Sequence, residues 1–482
     1  MEDPFEVFKD FFNQKFGKSL IIKGRPGTGK TTFSLELASR LYENQPIHFL
    51  SSRFNDEPLK DAFPFIDQIS YRINKENFSY TEDFKYVSTE SLKKLEKLLE
   101  EKNLNSDFTG SSGLIFDIKE VIPELNAIYT FVEKNFELGP VVILDSIEAI
   151  AQKYSIDETT LFSILQNDLV EKSGAGLIVV LESTQNDKLE YFSDGVISLS
   201  MEIDRNYMIR YMRIEKLRGL SLGSTPFFSY SLLNGRFTLF PIISVSYPTH
   251  KIPMLSDNEE SKDSVDMGVS AISKVLPMNK RTVDIGSLVL IHRMEISDRT
   301  DIAVNLIKNS LVRRTISEGR GVIDVSSSSY ESAKIFSLTM EPEQLKHYIT
   351  AEKTKRTNPS VINLEGAKMT EDFTSEAIEY FTGSSKRPNV YIFSTDFLNF
   401  TYGENFIGDF LTILNEIRLT GTVFMICDED FYKKLSHHAT FSLHIRDKDG
   451  FIFLNSGGNK HFSVQSLVDQ SGWPSYDLIE SV

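Results

Sequence analysis

Cysteine is almost missing from this chain of 482 residues: Cys427 is its only one. No internal disulfide can form, which fits a reducing compartment. Cys427 lies in the apolar run Val423-Phe424-Met425-Ile426-Cys427 and so reads as a buried structural thiol, not a reactive one. Also missing are an apolar run long enough to cross a bilayer and a signal-peptide pattern at the start. The expected location is the cytoplasm, with no membrane partner. Positive charge is scarce as well. Against 68 Asp and Glu stand 52 Lys and Arg, a formal net charge of −16. Nucleic-acid binding relies on cations that neutralise phosphates, so a general nucleic-acid coat is disfavoured, although a local basic loop is not excluded. What remains is ordinary for globular domains with real cores, 40% hydrophobic and 25% charged, over a length that implies more than one domain.

Against these absences stands one strong motif, Ile21-Ile22-Lys23-Gly24-Arg25-Pro26-Gly27-Thr28-Gly29-Lys30-Thr31-Thr32. It spells G-x-x-x-x-G-K-T between an apolar run and a helical pattern carried by Phe33, Leu35, Leu37, Ala38 and Leu41. Glycines let the backbone wrap closely around phosphates, where a Cβ would block a cradle of N–H groups. The helix that follows points its positive end at the same anion. Gly24, Pro26, Gly27, Thr28, Gly29, Lys30, Thr31 and Thr32 are the expected nucleotide-binding residues, Lys30 reaching the β- and γ-phosphates. The Thr31 hydroxyl is an expected Mg²⁺ ligand. The expected cofactors are ATP and Mg²⁺.

The stretch up to residue 240 alternates apolar strands with helical segments, the rhythm of a parallel α/β sheet. Strand-like runs are Ile47-His48-Phe49-Leu50, Val141-Val142-Ile143-Leu144-Asp145 and Leu177-Ile178-Val179-Val180-Leu181, with later ones near Gly195 and over 208–214. A long insertion separates the first two; its residues 91–99 are apolar at helical spacing, and 110–113 read as a loop. A polar stretch at 253–262 reads as an exposed linker. The expected organisation is therefore a nucleotide-binding domain over 1–240, a linker over 241–265 and a second domain over 266–482. Asp145 ends an apolar strand downstream of the phosphate loop, the place of a carboxylate that holds Mg²⁺ through water. The alternative is an acid that merely caps a helix.

The loop, together with Val141-Val142-Ile143-Leu144-Asp145-Ser146-Ile147-Glu148, resembles the RecA superfamily, especially its KaiC-like ATPases and the related GvpD-type regulators. Tyr191-Phe192-Ser193-Asp194-Gly195-Val196-Ile197 looks like the KaiC-like "ADGVI" strand, and Arg213-Ile214-Glu215-Lys216-Leu217-Arg218-Gly219 is similar to that family's K-x-R-G signature. The resemblance covers the first half outside the insertion. It implies a RecA-like P-loop core, a homo-oligomer (often a hexameric ring) with ATP at subunit interfaces, and Lys216 and Arg218 reaching the neighbour's γ-phosphate. Cations there neutralise charge developing on the transferred phosphoryl group. Without the resemblance, they read equally as two surface charges beside a turn glycine.

One departure concerns the base. The KaiC-like pattern ends its second strand with adjacent glutamates that activate water, but here Ser52 and Arg53 take those places in the simplest register. Asp56 or Glu57 could serve if the loop is shifted, and Glu57 is the expected catalytic carboxylate. Glu182 is a further candidate, at a position where the family places a phosphate sensor. Without a positioned base, turnover falls by roughly two to four orders of magnitude.

The second half repeats the first in outline. Gly286-Ser287-Leu288-Val289-Leu290-Ile291 mirrors the run before the phosphate loop, placing Arg293, Ile296 and Asp298 opposite Gly24, Gly27 and Gly29, and Arg299 and Thr300 opposite Lys30 and Thr31. Val390-Tyr391-Ile392-Phe393-Ser394 parallels the Asp145 strand with serine in place of the acid. The runs from Gly421 to Asp428 and from Ala439 to Ile445 parallel the next two strands. The fold class expected is thus α/β, a RecA-like core plus a degenerate RecA-like α/β domain without a working phosphate loop. An unrelated α/β domain is the competing reading. His437 and His438 lack partners at ligand spacing. Ser326 to Ser329 reads as a polar loop. Phe5, Phe8, Phe11, Phe12 and Phe16 are spaced for an amphipathic helix packed on this core or on a neighbouring subunit. The function expected is a slow Mg·ATPase acting as a regulatory switch or assembly. The alternatives are a non-hydrolysing, ATP-dependent module that binds a protein partner and, less favoured by the charge, a DNA-binding recombinase paralogue.

Overall fold

The computed structural model describes residues 5–14, 16–41, 45–51, 61, 63, 73–77, 123–182, 187–205, 207–221, 226–244, 263–352, 360–458 and 460–481. The helical pattern at 91–99, the loop at 110–113, Ser52, Arg53, Asp56, Glu57 and the polar stretch at 253–262 lie outside these residues. The chain divides into two compact units, Met1–Leu239 and Phe240–Ser481.

In the first unit the apolar runs become β1 (Ser19–Gly24), β2 (Ile47–Ser51), β3 (Ile73–Asn77), β4 (Val141–Asp145), β5 (Gly176–Val180), β6 (Gly195–Asp204), β7 (Tyr207–Leu217), β8 (Phe227–Ser231) and β9 (Thr238–Phe240). They form one sheet in the order β3-β2-β4-β5-β1-β6-β7-β8-β9. The strands are parallel from β3 through β6, and β7 and β8 then add antiparallel. A parallel sheet is covered on both faces, which is why these runs show no polar alternation. Successive side chains enter opposite layers: Leu20 and Ile22 join one core and Ile21 the other, and Val141 and Ile143 oppose Val142 and Leu144 in the same way.

Helix α1 (Glu6–Phe12) buries Phe8, Phe11 and Phe12. Phe5 and Phe8 pack on Phe33 of α2 (Lys30–Leu41), with ring centroids 6.0 and 5.6 Å apart. The aromatic N-terminus therefore belongs to its own core, apart from Phe16, which is exposed.

The second unit opens with a small antiparallel pair, β10 (Ser264–Asp266) and β11 (Thr282–Asp284). Its main strands are β12 (Leu288–Arg293), β13 (Arg320–Val325), β14 (Tyr348–Glu352), β15 (Val361–Asn363), β16 (Lys386–Ser394), β17 (Gly421–Cys427), β18 (Phe441–Lys448), β19 (Phe451–Asn455), β20 (Phe462–Val468) and β21 (Pro474–Glu480). Their order is β15-β14-β13-β16-β17-β12-β18-β19-β20-β21. Put β12, β13, β14, β16, β17 and β18 in the places of β1 to β6, and the order β3-β2-β4-β5-β1-β6 is reproduced, with β15 added at the edge. Register agrees as well. Ile22 lies between Val180 and Ile197, and Ile291 lies between Ile426 and Leu443. The fold is α/β twice over, a P-loop domain followed by a second domain of the same strand order.

The serine run reads as expected: Ser326 to Ser328 form a polar loop after β13, and it has a structural use. Ser326 is buried and donates to Asp324 Oδ1 at 2.6 Å, and Ser329 begins the helix α3 (Ser329–Thr339). Lys308, on α4 (Asp298–Ser317), reaches Ser326 and Ser328 at 3.1 and 2.6 Å and lies 3.1 Å from Asp324. The Tyr348 hydroxyl donates to the same carboxylate at 2.7 Å; burial, then the charge of Asp324, raises its pKa well above the ordinary value, so it stays a donor. A buried cation needs such a full set of partners. Cys427 is buried too, and burial pushes its thiol up to about 12, as befits a structural residue.

Two consequences are testable. A Cβ on Gly421 would lie 2.1 Å from the Asn389 carbonyl of the adjacent strand. Gly421→Ala should therefore destabilise the second unit by about 1–3 kcal/mol. The emission of Trp473, the only tryptophan, reads that unit in a urea titration, and an unchanged midpoint would contradict the packing. Secondly, burial holds His48, His292 and His461 down to about 4. The unfolded chain takes up these protons near pH ~6.5. Stability should thus be complete above that pH and decline as pH falls towards 4. His→Phe variants at the two strand positions, His48 and His292, should flatten this slope.

Candidate nucleotide site

The loop after β1 emerges at the carboxyl ends of the central strands, where open α/β sheets hold ligands. Its glycines are required by space and by torsion. A Cβ on Gly24 would meet the Leu199 carbonyl at 2.5 Å. Gly27 and Gly29 both have φ of +83°, and at Gly29 a Cβ would also meet Leu232 at 2.7 Å. Thr28 ties the turn closed by donating from Oγ1 to the Arg25 carbonyl at 2.8 Å. Arg25, Pro26 and Gly27 are exposed at the tip, whereas Thr28, Lys30 and Thr32 are buried. Lys30 folds back along the loop, donating from Nζ to the carbonyls of Gly24 and Arg25 at 2.6 and 3.2 Å. Its ammonium group is thus already held in the cradle.

From the next residue, Thr31 Oγ1 donates to Asp145 Oδ2 at 2.6 Å. The end of β4 and the start of α2 are therefore joined through the two residues expected to serve a metal. Asp145 is buried, so its carboxylate needs such a partner. The neighbouring Ser146 donates to Glu182 Oε1 at 3.3 Å, and the Glu182 N–H donates to Glu148. Glu182 is thereby brought beside the Asp145 strand. Ser51, the last residue of β2, lies level with Asp145 in the sheet.

Sequence reasoning missed what supports the loop from behind. The buried Tyr230 of β8 donates its hydroxyl to the Thr28 carbonyl, stacks on Phe237 at 4.2 Å, and is joined by Leu232 against Gly29. No local pattern marks a tyrosine two hundred positions downstream as part of a phosphate loop.

Lys216 and Arg218 are placed elsewhere. Lys216 is level with Val196, which is level with Ile21, so it lies towards the amino end of β1, away from its own loop. Lys216 Nζ donates to the Glu190 and Ser193 carbonyls at 2.9 and 2.5 Å, at the end of the helix Asp187–Phe192. Arg218 donates to the Tyr191 carbonyl at 3.2 Å and lies 3.6 Å from Asp194. Burial, then the charge of Arg218, lowers the Lys216 pKa. Within one chain the pair caps that helix, and the half-exposed Arg218 faces outward.

In the second unit the equivalent place is filled by protein. Arg293, where Gly24 would be, is buried and donates to Asp301 Oδ1 at 2.8 Å, with Asp396 3.6 Å away. Burial alone would raise the Asp396 carboxyl, but hydrogen bonds from Ser394 and the charge of Arg293 hold it below its usual value. Thr300, in the place of Thr31, spends its hydroxyl on a capping box with Ser297. Ser394, in the place of Asp145, accepts the Ser327 N–H at 3.1 Å. An internal ion pair thus stands where an anion cradle would be.

Comparison with known proteins agrees with this geometry. Residues 8–215 match the family model described as GvpD gas vesicle protein, P-loop domain, and residues 294–482 match GvpD basic region 2. Protein GvpD1 of Halobacterium salinarum is 27% identical over 235 residues, covering 47% of this chain and 39% of the relative. Protein GvpD2 of the same organism is 25% identical over 258 residues, covering 52% of this chain and 46% of the relative. The matched stretch spans less than half the length of either relative. No helix among the described residues is long and apolar enough to cross a membrane. With a P-loop domain and a second domain matched in order along it, the chain belongs to the GvpD gas vesicle protein family.

Proposed function

We propose that the first domain binds Mg·ATP and acts as a nucleotide-dependent switch in a gas-vesicle system. The observation that carries this reading is the 2.6 Å bond from Thr31 to Asp145, which joins the loop to the only strand-end acid expected to serve a metal. The glycine cradle, which has no room for a Cβ at Gly24 or Gly29, and the Lys30 ammonium held inside it fit a polyphosphate. Thr31 and Asp145 would hold the metal, one directly and one through water. Bound Mg·ATP supplies an anhydride whose cleavage can drive a change of state. The protein orients it through loop N–H groups and Lys30, and Glu182, bonded to Ser146, is a described carboxylate able to accept a proton nearby.

Slow turnover suits this site. Ser51 in register with Asp145 supports a β2 end without the usual acid, and Glu57 remains the base to test beyond it. The outward Arg218, exposed beside Tyr191, supports a homo-oligomer in which Lys216 and Arg218 serve a neighbour's nucleotide. The family membership supports the gas-vesicle setting. A non-hydrolysing module that recruits a protein partner is the reading to adopt if binding occurs without turnover.

Lys30→Ala should weaken ATP binding at least roughly tenfold, through loss of charge-assisted hydrogen bonds. Because Arg293 fills the second loop, calorimetry should find one nucleotide per chain, held with that loss of affinity in the variant; unchanged affinity would remove the claim. Arg218→Ala should lower turnover and spare binding. A protein that stays monomeric in every nucleotide state would end the role of Arg218 in trans.

A further inference from the structure

The sheet of the first domain carries a shelf beside the phosphate loop. β6 is level with β1 only as far as Leu199, which pairs with Gly24. It then runs on from Ser200 to Asp204 with β7 antiparallel beside it, rising roughly 16 Å past the point where the loop begins. Alternation fixes which face looks towards the loop. Ile197 and Leu199 share a core with Ile22 of β1 and Phe33 of α2, and Met201 and Ile203 continue their row. Across the pair, Arg210 is opposite Met201 and Met208 is opposite Ile203, just as Met212 of that core is opposite Leu199. A Cβ on Gly27 would lie 3.7 Å from the Met201 Cε, so the row passes against the loop itself.

An antiparallel strand that meets only water turns polar residues to it. The far face of this hairpin obeys: Glu202 and Asp204 are polar, and Ile209 and Tyr211 are buried. The loop face does not. Met201, Ile203 and Met208 are 37, 75 and 38% exposed, whereas Ile197, Leu199 and Met212 in the same rows are at most 3% exposed. Single exposed apolar side chains are ordinary. These three adjoin one another and the open tip of the loop, Arg25 to Gly27. Arg210 lies partly buried among them and supplies a guanidinium, a group that stacks on aromatic planes. A nucleotide whose phosphates lie in the cradle carries its base outward, and the flat apolar face of a base gains by leaving water.

We propose that Met201, Ile203, Met208 and Arg210 form the shelf on which the base of a bound nucleoside triphosphate packs. This rests on the nucleotide reading of the first domain and adds the part of the ligand that the loop does not hold. It gives the site a preference for nucleotides over inorganic polyphosphate.

Calorimetry on the full chain compares Mg·ATP with Mg·tripolyphosphate, and labelled methionine methyl groups are followed by NMR. Both ligands can enter the cradle, but only ATP carries a base. The paired substitution Ile203→Thr and Met208→Gln changes exposed side chains and should weaken ATP roughly tenfold, with tripolyphosphate unchanged. ATP should also move the methyl signals of Met201 and Met208 upfield through the ring current of the base, and tripolyphosphate should not. Met201→Leu and Met208→Leu assign those signals. Unchanged ATP affinity in the paired variant, an equal loss for both ligands, or methyl signals indifferent to ATP would overturn the shelf. Binding lost in Lys30→Ala would still uphold the cradle in each of those cases. Methyl shifts that follow protein concentration instead of nucleotide would assign the strip to a contact between copies and overturn the shelf as well. A wild-type chain that binds neither ligand would end the nucleotide reading, and the shelf with it.

Discussion

Burial of a mostly parallel sheet on both faces is the constraint on which both domains depend. Parallel strands joined by crossovers are covered above and below, so their interiors must be apolar. Val141 to Leu144, Leu288 to Ile291 and Val423 to Met425 obey this almost without exception. Polar chemistry is pushed to the strand ends. There the chain leaves the sheet, backbone groups are free, and helix N-termini converge. Gly24, Asp145 and Glu182 all lie at or just beyond the carboxyl ends of β1, β4 and β5.

The second domain shows what that constraint leaves free. Its strand order and register repeat the first, because the sheet's demands are met by any apolar run of suitable length. The residues just past the strand ends are under no such demand, and there the chemistry has been exchanged. Arg293 with Asp301 replaces an open cradle, and the capping box of Ser297 and Thr300 replaces a metal-serving hydroxyl. An unpaired arginine could not stay buried there, so the two acids near it belong to the same substitution.

This division also explains what could be read from sequence. The parallel strands were legible because each is a short apolar run, and the phosphate loop because its glycines and lysine sit at fixed spacing. The departure of the second loop was legible too, once Arg293 fell opposite Gly24. Supports assembled from distant segments were not. Tyr230 under the loop, Lys308 with Asp324 and Tyr348, and Trp473 against the helices of the second unit have no local periodicity. The antiparallel strands β20 and β21 were missed for a related reason, since polar and apolar residues mix there and give no run to mark them, whereas β19 does carry an apolar run, Phe451 to Leu454, and was missed all the same.

The tyrosine under the loop has a mechanical consequence. Tyr230 grips the Thr28 carbonyl from β8, while Leu232, just past that strand, rests on Gly29. The loop is therefore fastened to a strand that reaches the sheet only through β7 and β6. Any shift of the Thr28 carbonyl must break that bond or drag β8 with it, and Phe237, stacked on Tyr230 and packed on Phe33, moves as well. The aromatic stack works as a connecting rod between the mouth of the phosphate loop and the rim of the sheet.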